Sequence, residues 1–515
     1  MHGRTRWLDP PLLFFLTWLV ACGTALQSGR YADEKLGGDS DASGNAGIPA
    51  APTDGSEREL ESSFEAPVAT GRYLWVANPL SGRVAYIDAA SLAVSTVAAG
   101  NGPTHVAAIG NEDATIVINV RSNDATLLRL TATGITTKTY PLAPGMNHWS
   151  ISKDGRYAIA WTDAKKVPLA QKTQGFQEIT VVDLATDIAT VLSVGYRPTQ
   201  ITFDAAAAQA FAMTADGISV IALATPAVIR NVRLADDLAT AAKATDVSVN
   251  AAGTHAIVRF EGTDIVTVVR LADGTKTPLL LGTPVTDLDL LPAGDEAIAV
   301  MRESSSLALI SVSDAPAPQS IALASQKMGS VTTAADAAIA LLYTNASAVE
   351  EVSILSLGPP ATARPARVYS RVLGAFATQD GAHAVVLHEP PASDGTGAFS
   401  LLPLAADLPA KIVATNAAPL FVALTADSSR ALVVTADVGK KRQAAYLARM
   451  PALSTQAIEL GSKPLAAGIV EGARRAFVAQ SHPAGRVTFI HLDSGETRTL
   501  TGFELGARIA TGGQP

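Results

Sequence analysis

From Tyr73 to Gly110 the chain reads YLWVANPLSGRVAYIDAASLAVSTVAAGNGPTHVAAIG, short apolar runs broken by Pro, Ser, Gly and Asn. Runs of this kind, rich in Val, Ile and Tyr and bounded by turn formers, predict strands. Four are expected: an opening strand at Tyr73, a second ending in Asp88, a third through Val97 and a fourth through Val106, after the turn Gly100-Asn101-Gly102-Pro103. The opening strand returns as ATIVIN at Ala114, YAIAWT at Tyr157, QAFAMT at Gln209, HAIVRF at His255, EAIAVM at Glu296, AIALLY at Ala338, HAVVLH at His383, RALVVT at Arg430 and RAFVAQ at Arg475. Successive starts lie 41 to 52 residues apart, so units of one design follow one another. Strand ends like that at Asp88 recur in VVDLAT at Asp183 and IHLDSG at Asp493.

A four-stranded sheet that is apolar on both faces can bury them only against neighbouring sheets, so the array must stack and preferably close on itself. The fold class expected is all-β, a β-propeller of four-stranded blades with about ten repeat units. Propellers typically have 4 to 8 blades, so the alternatives are one large ring or a smaller ring beside a partial sheet; one ring is preferred. A sandwich array stays open as another all-β stack, since alternation alone does not separate the two. The tail ELGARIATG reads as a closing strand with no opening strand after it. Ile509 beside Tyr73 would then fasten the ring.

The repeat resembles the YVTN-type propeller repeat, an LYVAN-like strand, a VSVID-like strand and a G-x-x-P-x-x-V-A strand, over residues 66 to 511. That resemblance makes the last of these strands innermost, its first residues lining a central channel. Counting nine residues back from each opening strand then selects His105, His148, Gln200, Asp246, Asp287, Gly329, Gly374, Phe421 and Ala466, with Arg508 from the closing strand. Half of that mouth is polar and half is not. Imidazole nitrogen and carboxylate oxygen are donors for divalent metals, so His105 and His148 are the candidate metal ligands. His105, His148, Gln200, Asp246, Asp287 and Arg508 are the candidate ligand-binding set. A hydrated channel with no ligand is the plainer explanation of the same residues. The longest insertions, Asp163 to Gln177, Glu389 to Ala398 and Ala436 to Gln443, fall between the first and second strands of a unit, on the face where the inner strands begin. They carry Lys165, Lys166 and Lys172, and Lys440, Lys441 and Arg442, more simply solvated charge than a binding patch.

The first residues follow another rule. Arg4 and Arg6 precede an apolar run from Pro10 to Ala21, about 18 Å as a helix and short of a hydrocarbon core of about 30 Å, so the run reads as an export signal and not a membrane span. Leu19-Val20-Ala21-Cys22-Gly23 resembles the lipobox of bacterial lipoproteins. The resemblance implies cleavage before Cys22, lipidation of its thiol and, with Gly23 following, outer-membrane delivery. An ordinary signal peptide cut near Ala25 is the alternative. From Gly23 to about Ser63 the sequence turns to Gly, Ser, Ala, Asp and Glu without a periodic apolar face, and predicts a disordered tether with a mean reach of roughly 35 Å. The organisation expected is a lipoprotein signal peptide over 1–21, a lipidated Cys22 and flexible linker over 22–65, and the repeat domain over 66–515.

Composition narrows the function. A net charge of -8 with 17% charged residues lacks the basic face that displaces counterions from phosphate backbones, which excludes nucleic-acid binding. The single cysteine allows no intramolecular disulfide and no Cys-based metal cluster. No H-E-x-x-H, G-x-S-x-G, phosphate-loop or calcium-loop pattern occurs, and His388-Glu389 lacks a second histidine. Some propellers of the resembling kind are lactone hydrolases and others carry quinone or haem, but their site residues do not map here. The first reading is therefore a non-enzymatic, monomeric, membrane-tethered scaffold of the cell envelope, periplasmic or surface-facing, binding a protein or glycan without cofactor. The second is a metal-dependent hydrolase of the lactonase-like kind.

Overall fold

The computed structural model describes Glu57 and residues 67–506, with the exception of 111, 168–173, 235–243, 325–326, 336–337, 369, 390–395, 406–407 and 438. The expectations for Cys22, Arg508 and Ile509 lie outside the described residues. Ten four-stranded antiparallel sheets follow one another in chain order, and within each the strand order equals the sequence order. Numbered as blades, they span Val68–Ala98, Pro103–Pro141, His148–Ser193, Pro198–Arg233, Ala244–Leu280, Asp287–Ala322, Ser330–Arg367, Val372–Thr415, Pro419–Glu459 and Pro464–Thr501. First strands of neighbouring sheets adjoin around the axis, and that of blade 10 adjoins that of blade 1, so the chain forms one closed ring. Among the described residues no helix is long and apolar enough to cross a membrane.

Alternation along the second strands explains the stacking. Leu74 and Val76 of blade 1 pack with Phe477 and Phe489 of blade 10, while Trp75 and Ala77, pointing the other way, pack with Val106 and Val117 of blade 2. A strand with both faces buried needs apolar residues at every position, which is why YLWVAN reads as a continuous run. The outermost strands, such as Val94–Ala98, are largely exposed.

At the closing seam Val68–Ala69 pairs with Leu74–Trp75 on the inner side of the first opening strand. The last seam is held by apolar packing, by Gly472 N donating to Gly71 O at 2.7 Å and by the Asn78 amide donating to Phe503 O at 3.0 Å. Gly485, at φ +70°, lets the returning chain pass close by: a Cβ there would lie 2.3 Å from the Leu505 carbonyl carbon.

The aspartates that end the third strands have a structural task on the face where the inner strands finish. Asp88 accepts from Arg72 at 2.5 and 2.8 Å and from the backbone N–H groups of Ala90 and Ser91. The Arg72 hydrogen bond holds the Asp88 carboxyl down at about 2. Asp183 accepts from Arg156 at 3.0 Å, and Asp493 from Arg474 at 2.8 Å. Short turns and ion pairs thus finish this face.

Candidate functional site

The opposite face, where the inner strands begin, is built differently, because it carries the long insertions beside the starts of the inner strands. The expected register is real: His105 pairs with Ile118, His148 with Trp161, Gln200 with Met213, Asp246 with Arg259 and Asp287 with Val300, each the fifth residue of its opening strand. Gly329 departs from it. Val331 stands opposite Leu342, the fifth residue there, and Gly329 lies just before the inner strand.

Equivalence in register also keeps these side chains apart. Cross-strand partners share a face, and Ile118 belongs to the core between blades 2 and 3 whereas Trp161 belongs to the core between blades 3 and 4. His105 and His148 therefore enter different seams with the sheet of blade 3 between them. His105, Gln200, Asp246 and Asp287 are all buried, one to a seam, and do not converge on a shared mouth. No group of three or more His, Cys, Asp or Glu able to hold a metal ion occurs among the described residues.

Their contacts include the neighbouring blade, the adjacent strand of their own blade and a folded-back loop. The Asp287 carboxylate accepts the Val331 N–H of blade 7 at 2.6 Å. Asp246 is ion-paired with Arg259, whose guanidinium also donates to Val285 O at 3.0 Å. The indole N–H of Trp149 donates to His105 O at 3.2 Å. His148 packs edge-on against Trp161 at 4.7 Å, and Lys166, from the first long insertion, reaches its Nδ1 at 3.0 Å. An ammonium donor requires that nitrogen to accept. In the second insertion Glu389 ion-pairs with Arg371 at 2.8 Å. The third insertion is partly strand, since Ala436 pairs with Gln443 and Asp437 with Arg442.

Sequence reasoning missed a polar cluster on this face. It lies at the seam of blades 6 and 7, where Arg302 follows one opening strand and Thr344 and Asn345 follow the next. Into it comes Glu57, from the segment read as a disordered tether. Its carboxylate receives Arg302 Nη1 at 3.2 Å, Thr344 Oγ1 at 2.6 Å, Asn345 N at 3.1 Å and Ser330 Oγ at 3.4 Å. The cluster continues into blade 8, because Asn345 O accepts Arg371 at 2.8 Å and the Asn345 amide donates to Leu373 O at 3.0 Å. No motif marks these positions; the one signal in the sequence is Gly329, which leaves room.

His388 sits beneath this cluster, fully buried, with Nε2 2.6 Å from Ser400 Oγ and Nδ1 3.3 Å from Arg371 O. Burial pushes its imidazolium down to about 4. A folded value below the unfolded one of about 6.5 means that the unfolded chain takes up the proton first. Stability is full above about pH 6.5, declines as pH falls towards 4 and then levels. Thermal melts should show a loss of about 3 kcal/mol over that window, which His388→Gln should flatten.

No family model matches this chain, and no curated protein does. Solved structures are similar to it. A eukaryotic initiation factor is 9% identical with a TM-score of 0.49, covering 84% of this chain and 97% of that one. Dihydro-heme d1 dehydrogenase NirN in complex with DHE is 16% identical with a TM-score of 0.44, covering 75% and 72%. The β-propeller domain of Myceliophteria thermophila Cps50 (Swd1) is 13% identical with a TM-score of 0.34, covering 59% and 96%. By its own ten sheets and closed axis, the protein is a ten-bladed β-propeller.

Proposed function

We propose that this propeller is a binding scaffold of the cell envelope, tethered to a membrane through a lipid on Cys22, with the face at the starts of the inner strands as its ligand surface. One observation carries the reading. That face gathers the long insertions together with inner-strand side chains, within one blade as in Lys166 with His148 and between blades as in Arg371 with Asn345, whereas the other carries short ion-paired turns. Irregular polar loops held on a rigid frame are where recognition concentrates. The hydrolase reading draws no comparable support, since its proposed ligands His105 and His148 occupy separate seams.

Photo-crosslinking in intact cells tests the scaffold. A crosslinker at Lys440, on the ligand face, should give one dominant adduct, and one at Ala90, on the other face, should give none. Cys22→Ala should abolish palmitate labelling, move the protein to the soluble fraction and remove the adduct. Equal adducts from both faces would sink the assignment of the face, and a membrane-bound, labelled Cys22→Ala protein would sink the tether.

A further inference from the structure

The Glu57 contacts form a site with a definite ligand chemistry. Its carboxylate side chain is only 8% exposed, against 26% for Arg302, and Ser330, Thr344 and Asn345 are all buried. A carboxylate out of water must recover its hydration through donors, and four converge here: a guanidinium, two hydroxyls and a backbone N–H. The protein shapes the seat for a foreign group, because a Cβ built on Gly329 would lie 1.8 Å from Glu57 Oε1. Any other residue at 329 would fill the space that the carboxylate takes. Asp287 fixes the other side of the same strand start by holding Val331 N–H, so the strand that carries Ser330 is set before the ligand arrives.

We infer that Arg302, Ser330, Thr344, the Asn345 N–H and the gap at Gly329 form a receptor for the carboxylate side chain of an acidic peptide segment, and that Glu57 of this same chain is its resident occupant. The receptor lies on the ligand face and names the chemistry that face accepts, so it rests on the reading above; occupancy by Glu57 stands apart from any partner. Glu57 sits across the ring from Val68, where the first blade begins, and the chain between them can reach at most about 36 Å. Being covalently attached, Glu57 competes at an effective concentration in the millimolar range. It therefore closes the receptor to weak acidic ligands until it is displaced.

The tether carries its own reporter, since Arg58 follows Glu57 and trypsin must take several residues around a cut into its cleft. In the full chain, cleavage at Arg58 relative to Arg30 should rise at least tenfold in Gly329→Ala and in Arg302→Ala, neither of which alters the tether sequence. A fluorescent peptide of residues 50–64 should bind the Glu57→Ala protein at least tenfold more tightly than the wild type, and Glu57→Gln within the peptide should abolish this. Glu57→Ala lies outside the blades, so it keeps the test valid even if a receptor variant fails to fold. The inference is overturned if the Arg58 ratio is unchanged in folded receptor variants, or if the peptide does not distinguish Glu57→Ala from wild type. Protection at Arg58 does not depend on any partner, so a failed crosslinking experiment would overturn the partner reading and leave this one standing.

Discussion

Asp246→Ala should lower stability by about 3 kcal/mol, the largest effect expected of any single truncation on the ligand face. The residue is 2% exposed and leaves Arg259, 14% exposed, as an unpaired cation between blades 5 and 6. The complementary expectation separates pairing from packing. Asp246 Oδ1 is buried with no hydrogen-bond partner among the described residues, so the ion pair recovers only part of its lost hydration. Replacing both residues with leucine should therefore cost no more than about 1 kcal/mol. Denaturant midpoints of Asp246→Ala and of the double variant check this; a double variant as unstable as Asp246→Ala would show that the pair itself stabilises the seam.

Phe489→Ala should cost about 4 kcal/mol, as expected for a fully buried aromatic whose cavity cannot collapse. Its consequence should be unlike that of Phe399→Ala, an equally buried truncation between blades 8 and 9. Nine seams have the chain running across them, and the tenth, between blades 10 and 1, is held by non-covalent contacts alone. Weakening that seam opens the ring at its one break. Amide exchange should accelerate first in Tyr73–Asn78 and Arg486–His491 for Phe489→Ala, ahead of global unfolding, whereas Phe399→Ala should raise exchange throughout the ring. Equal, global acceleration in both variants would mean that closure is no weaker than the other seams.

Which of these features could be read in advance follows from the range of the interactions involved. The strands, the turns and the period were legible because each is a local pattern: runs such as HAIVRF and EAIAVM announce a doubly buried strand, and Gly-Asn-Gly-Pro announces the turn before an inner one. The ring followed from a single physical demand, that sheets apolar on both sides cover one another. Even the aspartates that end third strands were visible as a recurrent sequence feature, though their bond to the arginine before the opening strand was not. The inner-strand register was legible too, but not its direction. His105 and His148 look convergent on paper because register is counted along a strand, whereas convergence depends on which seam each side chain enters.

By itself, then, the sequence determined the blade, its repetition and the need for closure, since these depend on residues within about forty positions of one another. Only the tertiary structure decided where polar groups meet. Glu57 and Arg302 are separated by most of six blades, yet ring closure brings one to the other, and no local pattern encodes a distance that exists only after the last sheet has met the first. A carboxylate taken out of water has to be answered by donors wherever the fold supplies them, and here the fold supplies them from two neighbouring blades.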